Sequence, residues 1–359
     1  LVFPAPICNN KNTKKLGEEQ MGFFGRILAA AFLISAPALV RAQDAAEFYK
    51  GKTVHFIVGV GVGGGFDAYA RMIAPYLSRE LGATVVVENQ LGAGGLVALN
   101  RLYVTQPDGL RLMIVNGTPA TLGQLMEREN LRYDMAKFDH LGIIAAYPWI
   151  WLAGKKSGIN TVEAALKRSE EFRWAGTSPA DGPADGALIT CAALQMKCRL
   201  VLGYKSSSEF ILSMERGETD GTYISDSSAG TYVRAGGAIA LASMARIRSP
   251  VLPDTKTIFE ILPNLNTDQQ WLIDFRANLN DLGRLLVTSP GVPPERLAFL
   301  REAIKRSLTN PELIKEGERV QREFRYQSPD EAMAVVRKVL VDITPAQKAR
   351  IKEVLTYNK

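Results

Sequence analysis

The short, largely apolar run Val54–Val58 (VHFIV) passes straight into the glycine-rich stretch Gly59–Gly65, and that stretch opens a segment with helical spacing. No other feature limits the fold as much. A strand that is apolar on both faces must be covered on both sides, which is the condition of a parallel sheet between helix layers. The helical segment starts near Asp67, with Tyr69, Met72, Ile73, Tyr76 and Leu77 on one face. Thr84–Val87 repeats the apolar strand, and Gly92-Ala93-Gly94-Gly95 opens a helix carrying Leu96, Leu99, Leu102 and Tyr103. Leu112–Val115 is a third strand, ending at Asn116-Gly117-Thr118.

A second α/β segment follows. Trp149–Ala153, Phe172–Ala175, Arg199–Leu202 and Thr222–Ser225 read as strands. Helices are predicted at Thr161–Ser169, after the loop Gly176–Gly186, and over Phe210–Arg216, with Thr161 as an N-cap. Near the C-terminus one helix starts at Pro293-Pro294-Glu295. Another starts at the capping box Ser328-Pro329-Asp330-Glu331. The composition, 47% hydrophobic and 22% charged, supports a packed core and excludes a disordered chain.

Met21 to Ala42 reads as an export signal. Arg26 is the basic region, Ile27–Leu39 the apolar region and Val40-Arg41-Ala42 the cleavage pattern, so the mature chain is expected to begin at Gln43. Residues 1–20 are read as an upstream translated segment and 21–42 as the signal peptide. The apolar stretch is too short to span a bilayer and is broken by Pro37. Residues 1–42 hold five basic and two acidic side chains, so they carry three of the six net positive charges. The remainder is only mildly basic, with no block of five like charges, and gives no reason to expect nucleic acid. A weak positive field suits a small anionic ligand.

Gly59, Gly61 and Gly64 satisfy G-x-G-x-x-G between a strand and a helix, and Glu88 ends the next strand. This outlines a dinucleotide fingerprint. An exported chain does not ordinarily meet free NAD, and Asp67 stands where a pyrophosphate would bind. The same loop serves as a carboxylate site, because glycines let backbone N–H groups turn inward at a helix N-terminus; a tight turn without ligand is the plainer alternative. No G-x-S-x-G, H-E-x-x-H or C-x-x-C occurs. His55 reads as a packed or edge histidine and His140 as a structural one, and Asp181 and Asp185 as residues capping a helix. Tyr147, Trp149 and Trp151 alternate along a strand, which fits a packed face better than a ligand platform. No cofactor, metal or catalytic residue is expected. Cys191 and Cys198 lie seven apart and suit either a disulfide or two buried thiols.

The stretch from Ile57 to Arg71 resembles the opening of the tripartite tricarboxylate transporter substrate-binding proteins, the Bug family. Val85–Gly95 (VVVENQLGAGG) matches their VVVEN…GAGG block closely. Pro107-Asp108-Gly109, Gly203-Tyr204-Lys205 and Arg216-Gly217-Glu218-Thr219-Asp220 are further matches. Two loops depart from the family pattern: Gly59-Val60 replaces a proline and an aromatic, and Thr177–Gly182 replaces a Ser/Gly-rich loop.

The resemblance implies a type II periplasmic-binding-protein fold, two α/β lobes joined by crossing strands around a ligand cleft. Lobe one would comprise 43–145 and 260–359, and lobe two 146–259. The implied function is to capture a small carboxylate and deliver it to a two-subunit membrane permease, with the receptor a periplasmic monomer. An exported sensor or scavenger without a permease, and a Rossmann-type oxidoreductase, are the alternatives. Carried over residue by residue, the first loop supplies Val60, Gly61, Gly63, Gly64 and Asp67. The third-strand loop supplies Asn116, Gly117 and Thr118, and lobe two supplies Thr177, Ser178, Tyr204, Ser225 and Asp226. These loops hold no arginine, so helix N-termini from both lobes are expected to hold the carboxylate.

Overall fold

The computed structural model describes residues 45–63, 65–177, 182–320 and 322–356. The upstream segment and the signal peptide read from residues 1–42 lie outside them. Five strands form the first sheet: β1 (Thr53–Val58), β2 (Thr84–Asn89), β3 (Arg111–Val115), β4 (Asp139–Ile143) and β10 (Leu285–Thr288), in the order β2-β1-β3-β10-β4. The second contains β5 (Trp149–Gly154), β6 (Phe172–Ala175), β7 (Cys198–Val201), β8 (Gly221–Ser225) and β9 (Ala238–Ser243), in the order β7-β6-β8-β5-β9. In each sheet the first three strands are parallel, and the fourth runs antiparallel to both of its neighbours.

That fourth strand is the one arriving from the other sheet. The chain leaves β4, crosses at 144–148 and enters the second sheet as β5; it leaves β9 and returns as β10. Two mixed sheets exchanging one strand each define the two-lobed type II binding-protein fold.

The chain forms α1 (Gly65–Leu81), α2 (Leu96–Tyr103), α3 (Gly117–Leu125), α4 (Val162–Leu166), α5 (Gly182–Leu194), α6 (Ser207–Arg216) and α7 (Asp226–Arg234). Of these, α1, α2, α4, α5 and α6 are the predicted helices with small shifts, whereas α3 and α7, which open directly after β3 and β8, are not among the predicted ones. The Thr161 side chain accepts the Ala164 N–H at 3.1 Å, as an N-cap should. One short helix, α8 (Ile258–Ile261), and one long one, α9 (Thr267–Asp281), are not legible in the pattern. The capping box of Asn266 and Gln269 starts α9, but its buried face spans two different neighbours and blurs the periodicity. The chain ends with α10 (Pro294–Leu308), α11 (Pro311–Arg319), α12 (Pro329–Leu340), which carries the Ser328–Glu331 capping box, and α13 (Pro345–Thr356).

Helices α1 and α10 cover one face of the first sheet, where Phe56, Ile73, Leu77, Leu112 and Ile304 are fully buried together. Truncating one such leucine to alanine costs about 2–5 kcal/mol. Helix α9 packs on α5 and reaches the second lobe with polar groups: Arg276 donates to the Gly182 carbonyl at 2.8 Å, and Asn280 to the Tyr223 hydroxyl at 2.9 Å. Cys191 and Cys198 form a disulfide, with Cα atoms 6.2 Å apart, joining the end of α5 to β7.

Candidate functional site

Ligands of open α/β sheets bind at the carboxyl ends of the strands. Here the ends of β1, β3, β6 and β8 from the two sheets face one another across a cavity of 670 Å³. Of the residues expected at the site, Val60, Asn116, Thr118, Thr177 and Ser225 line it. Gly64 and Ser178 lie outside the described residues, as does Asp181. Gly61, Gly63, Asp67, Gly117, Tyr204 and Asp226 stand off the cavity wall.

Local chemistry accounts for most of these six. The Asp67 carboxylate turns into its own loop and accepts the Gly63 N–H at 2.8 Å. It also accepts from Arg71 Nε at 3.0 Å and Asn89 Nδ2 at 2.9 Å. Asn89 donates as well to the Val60 carbonyl, at 2.9 Å. The chain's own carboxylate thus takes a loop amide that the sequence reading assigns to a ligand. Its pKa is lowered to about 2, first by the hydrogen bond from Arg71. Gly117 packs on Leu282, whose carbonyl oxygen would lie 2.4 Å from a Cβ at that position. Tyr204 donates to Glu218 at 3.2 Å, and Asp226 accepts from Ser249 at 2.8 Å.

The dinucleotide alternative loses its acid in the same way. Glu88 is 2.6 Å from His55 Nδ1, and that contact lowers its pKa. His140 is buried, with Nε2 2.8 Å from the Met135 carbonyl. Asp220, in the Arg216–Asp220 motif, is buried beneath Arg173, which donates from its backbone at 2.8 Å, from Nε at 3.0 Å and from Nη2 at 2.9 Å. That motif braces β6 against the turn before β8.

What the cleft does present is a one-sided electrostatic field. Helices α2 and α3 point their N-termini into it from lobe one. Neither has a side-chain cap or an acid in its first turn, so no carboxylate of its own offsets either dipole; at α2 the Gly92 carbonyl accepts the Gly95 and Val97 N–H groups, at 2.9 and 3.4 Å. The lobe-two helices that open on the cleft carry their own acids: Asp185 in α5, Glu209 in α6 and Asp226 in α7. Equal anion binding from both lobes, as the loops alone suggested, is therefore not what the helix ends offer.

Two arginines line the cavity, which the three-loop reading missed. Arg128 is exposed beyond the end of α3. Arg284, in the turn between α9 and β10, is half-buried. Its guanidinium lies 4.6 Å from the centre of the Tyr69 ring and 5.2 Å from that of Tyr147. Both tyrosines donate to the Glu323 carbonyl, at 3.1 and 2.6 Å, so the rings are fixed. Among the described residues no carboxylate and no hydrogen-bond acceptor meets this guanidinium. The aromatic alternation also divides: Trp151 is core, packed edge-on to Phe172 and tilted against Trp174, whereas Tyr147 and Trp149 line the cleft.

A two-lobed receptor with a cationic interlobe cleft is the class these observations define. The match to known families agrees: residues 69–344 fit the model described as the tripartite tricarboxylate transporter family receptor, TctC, and the chain belongs to that family. It is a family of solute receptors, not of enzymes. An Agrobacterium vitis protein encoded in the ttuE–ttuC′ intergenic region is 28% identical over 314 residues, 86% of this chain and 84% of its own. BugT of Bordetella pertussis is 21% identical over 66% of this chain and 74% of its own. The structure of a TctC solute-binding protein from Polaromonas superposes with a TM-score of 0.68 at 18% identity, covering 86% of this chain and 99% of that one. MatC from Rhodopseudomonas palustris, with bound malate, gives a TM-score of 0.60 at 20% identity, over 85% and 99%. These structural likenesses establish the fold.

Proposed function

We propose that the protein is an exported receptor whose lobes close on a small carboxylate and which delivers it to the membrane subunits of a tripartite tricarboxylate-type transporter. The observation that carries this reading is Arg284: a half-buried cation without an anionic partner among the described residues, facing a cavity into which two acid-free helix N-termini also point. Val60, Asn116 and Thr118 would contact the ligand from lobe one, and Thr177 and Ser225 from lobe two, with Gly64 and Ser178 in the same two loops. The lobes would divide at 145/146 and 259/260. The signal-like segment ending at Ala42 supports export, and the solved relatives with malate and with adipate support a carboxylate. Hydrogen bonds to a charged group contribute roughly 1.5–3 kcal/mol each. Three or four of them support binding near −8 kcal/mol, about micromolar, after association costs.

Calorimetry of the purified protein against a panel of carboxylates and their amides tests the reading. Binding of an acid with loss of affinity for its amide is the expected result. Tight binding of an uncharged sugar or of a cation, with no carboxylate bound, overturns it.

A further inference from the structure

We infer that the ligand is a monocarboxylate with a flat apolar body, its carboxylate on Arg284 in lobe one and its body against Trp149 in lobe two. This rests on the carboxylate-receptor reading and narrows it.

Charge is distributed unequally between the two walls. Both cations lining the cleft, Arg128 and Arg284, come from the lobe-one side, as do the two helix N-termini without a first-turn acid. No lysine or arginine of lobe two lines the cleft among the described residues, and of its three first-turn acids Asp185 reaches the wall, while Glu209 and Asp226 stand off it. Like charges repel, and the first-turn acids complement the dipoles of their own helices. A second carboxylate on the ligand would meet no lobe-two cation at the wall and would face Asp185, so one anionic end and one uncharged end fit the field.

The surface of the cavity defines the other end. Phe66 and Leu96 on one wall and Trp149 on the other are only partly covered, so their carbon faces the cavity. Trp149 is pre-set as a platform. A Cβ on Gly182 would lie 2.6 Å from its ring edge, so only glycine lets the indole lie there. The Arg276 guanidinium sits 5.2 Å from the indole centre, and the Tyr223 ring 5.2 Å from it. An aromatic held in place before binding loses little freedom when a flat ligand stacks on it.

Arg284 is positioned by the Tyr69 and Tyr147 faces without being neutralised by them. Removing the charge removes a partner for the carboxylate while leaving the two tyrosines in contact through their hydroxyls, 3.3 Å apart.

The experiment is calorimetric titration of the wild type, Arg284→Gln and Arg284→Lys with phenylacetate, phenylacetamide, malate and adipate. The wild type should bind phenylacetate about tenfold or more tighter than either diacid, and phenylacetamide not measurably. Arg284→Gln should lose about tenfold or more in phenylacetate affinity at an unchanged melting temperature, and Arg284→Lys should recover part of it. Diacids binding more tightly than phenylacetate overturn the inference and leave the carboxylate-receptor reading standing. Phenylacetate affinity unchanged in Arg284→Gln also overturns it. Binding of phenylacetamide without any of the acids overturns both.

Discussion

Gly59→Ala tests how the two glycine loops support each other. Gly59 follows β1 and Gly95 precedes α2, and their backbones meet: a Cβ on Gly59 would lie 2.4 Å from the Gly95 Cα and 3.1 Å from Met113 Cε. In the opposite direction, a Cβ on Gly95 would lie 3.1 Å from the Gly59 Cα, and Gly95 has a φ of +96°. Forcing a methyl into such a contact costs about 1–3 kcal/mol. The left-handed backbone adds about 1–2 kcal/mol at Gly95. Gly59→Ala should therefore lose about 1–3 kcal/mol, and Gly95→Ala about 2–5 kcal/mol by adding the two effects. Gly61 is the internal control. It lies two residues away in the same loop, nothing comes within 4 Å of a Cβ there, and its φ is not positive, so Gly61→Ala should stay within about 0.5 kcal/mol. Urea unfolding of the three variants measures this. A Gly59→Ala protein as stable as Gly61→Ala refutes the backbone contact. Because Gly59 and Gly95 both line the cleft, the two destabilised variants should also bind ligand more weakly than Gly61→Ala.

Further outcomes follow from buried charges and the disulfide. Asp220→Ala leaves Arg173 and Arg168 without their shared carboxylate and should cost about 3 kcal/mol in urea unfolding, at the low end for breaking a buried pair because both arginines are partly exposed. Asp226 has its pKa raised from 3.8 to about 6, chiefly by burial, so the folded state binds more protons between these values and stability falls as pH rises through that window. Asp226→Asn should then stabilise the protein relative to wild type at pH 7.5 and much less so at pH 4, read from melting temperatures at the two pH values. The Cys191–Cys198 bond closes a short loop and should contribute about 2–3 kcal/mol; unfolding with and without reductant checks this, and equal stability would show the bond to be energetically silent.

The sequence made the first strands and their glycine loops legible because one short window holds the whole signal: apolar run, glycines, helical period. The strand ends and their loops could be placed, and the family resemblance carried Val60, Asn116, Thr118, Thr177 and Ser225 onto them. Residues whose role depends on distant partners could not. Arg284 comes some 220 residues after the first loop and reaches the cleft only because β10 inserts antiparallel between β3 and β4. Asp67 looks like a ligand contact from its place in the loop, but Asn89 and Arg71 turn its carboxylate inward. The Asn of the VVVEN block is thus legible in hindsight as the brace of the neighbouring loop. Trp149 and Trp151 share an alternating pattern, and the difference between cleft and core comes from Gly182 and Phe172 across the lobe.

A crystal structure of the protein grown with a carboxylate that calorimetry shows to bind tests whether the cleft holds the charge on its lobe-one side. The carboxylate oxygens are expected within hydrogen-bond distance of the Arg284 guanidinium and of the backbone amides that start α2 or α3. A carboxylate seated against the helix starts of lobe two with Arg284 uninvolved, or a ligand bound outside the interlobe cavity, would contradict that placement.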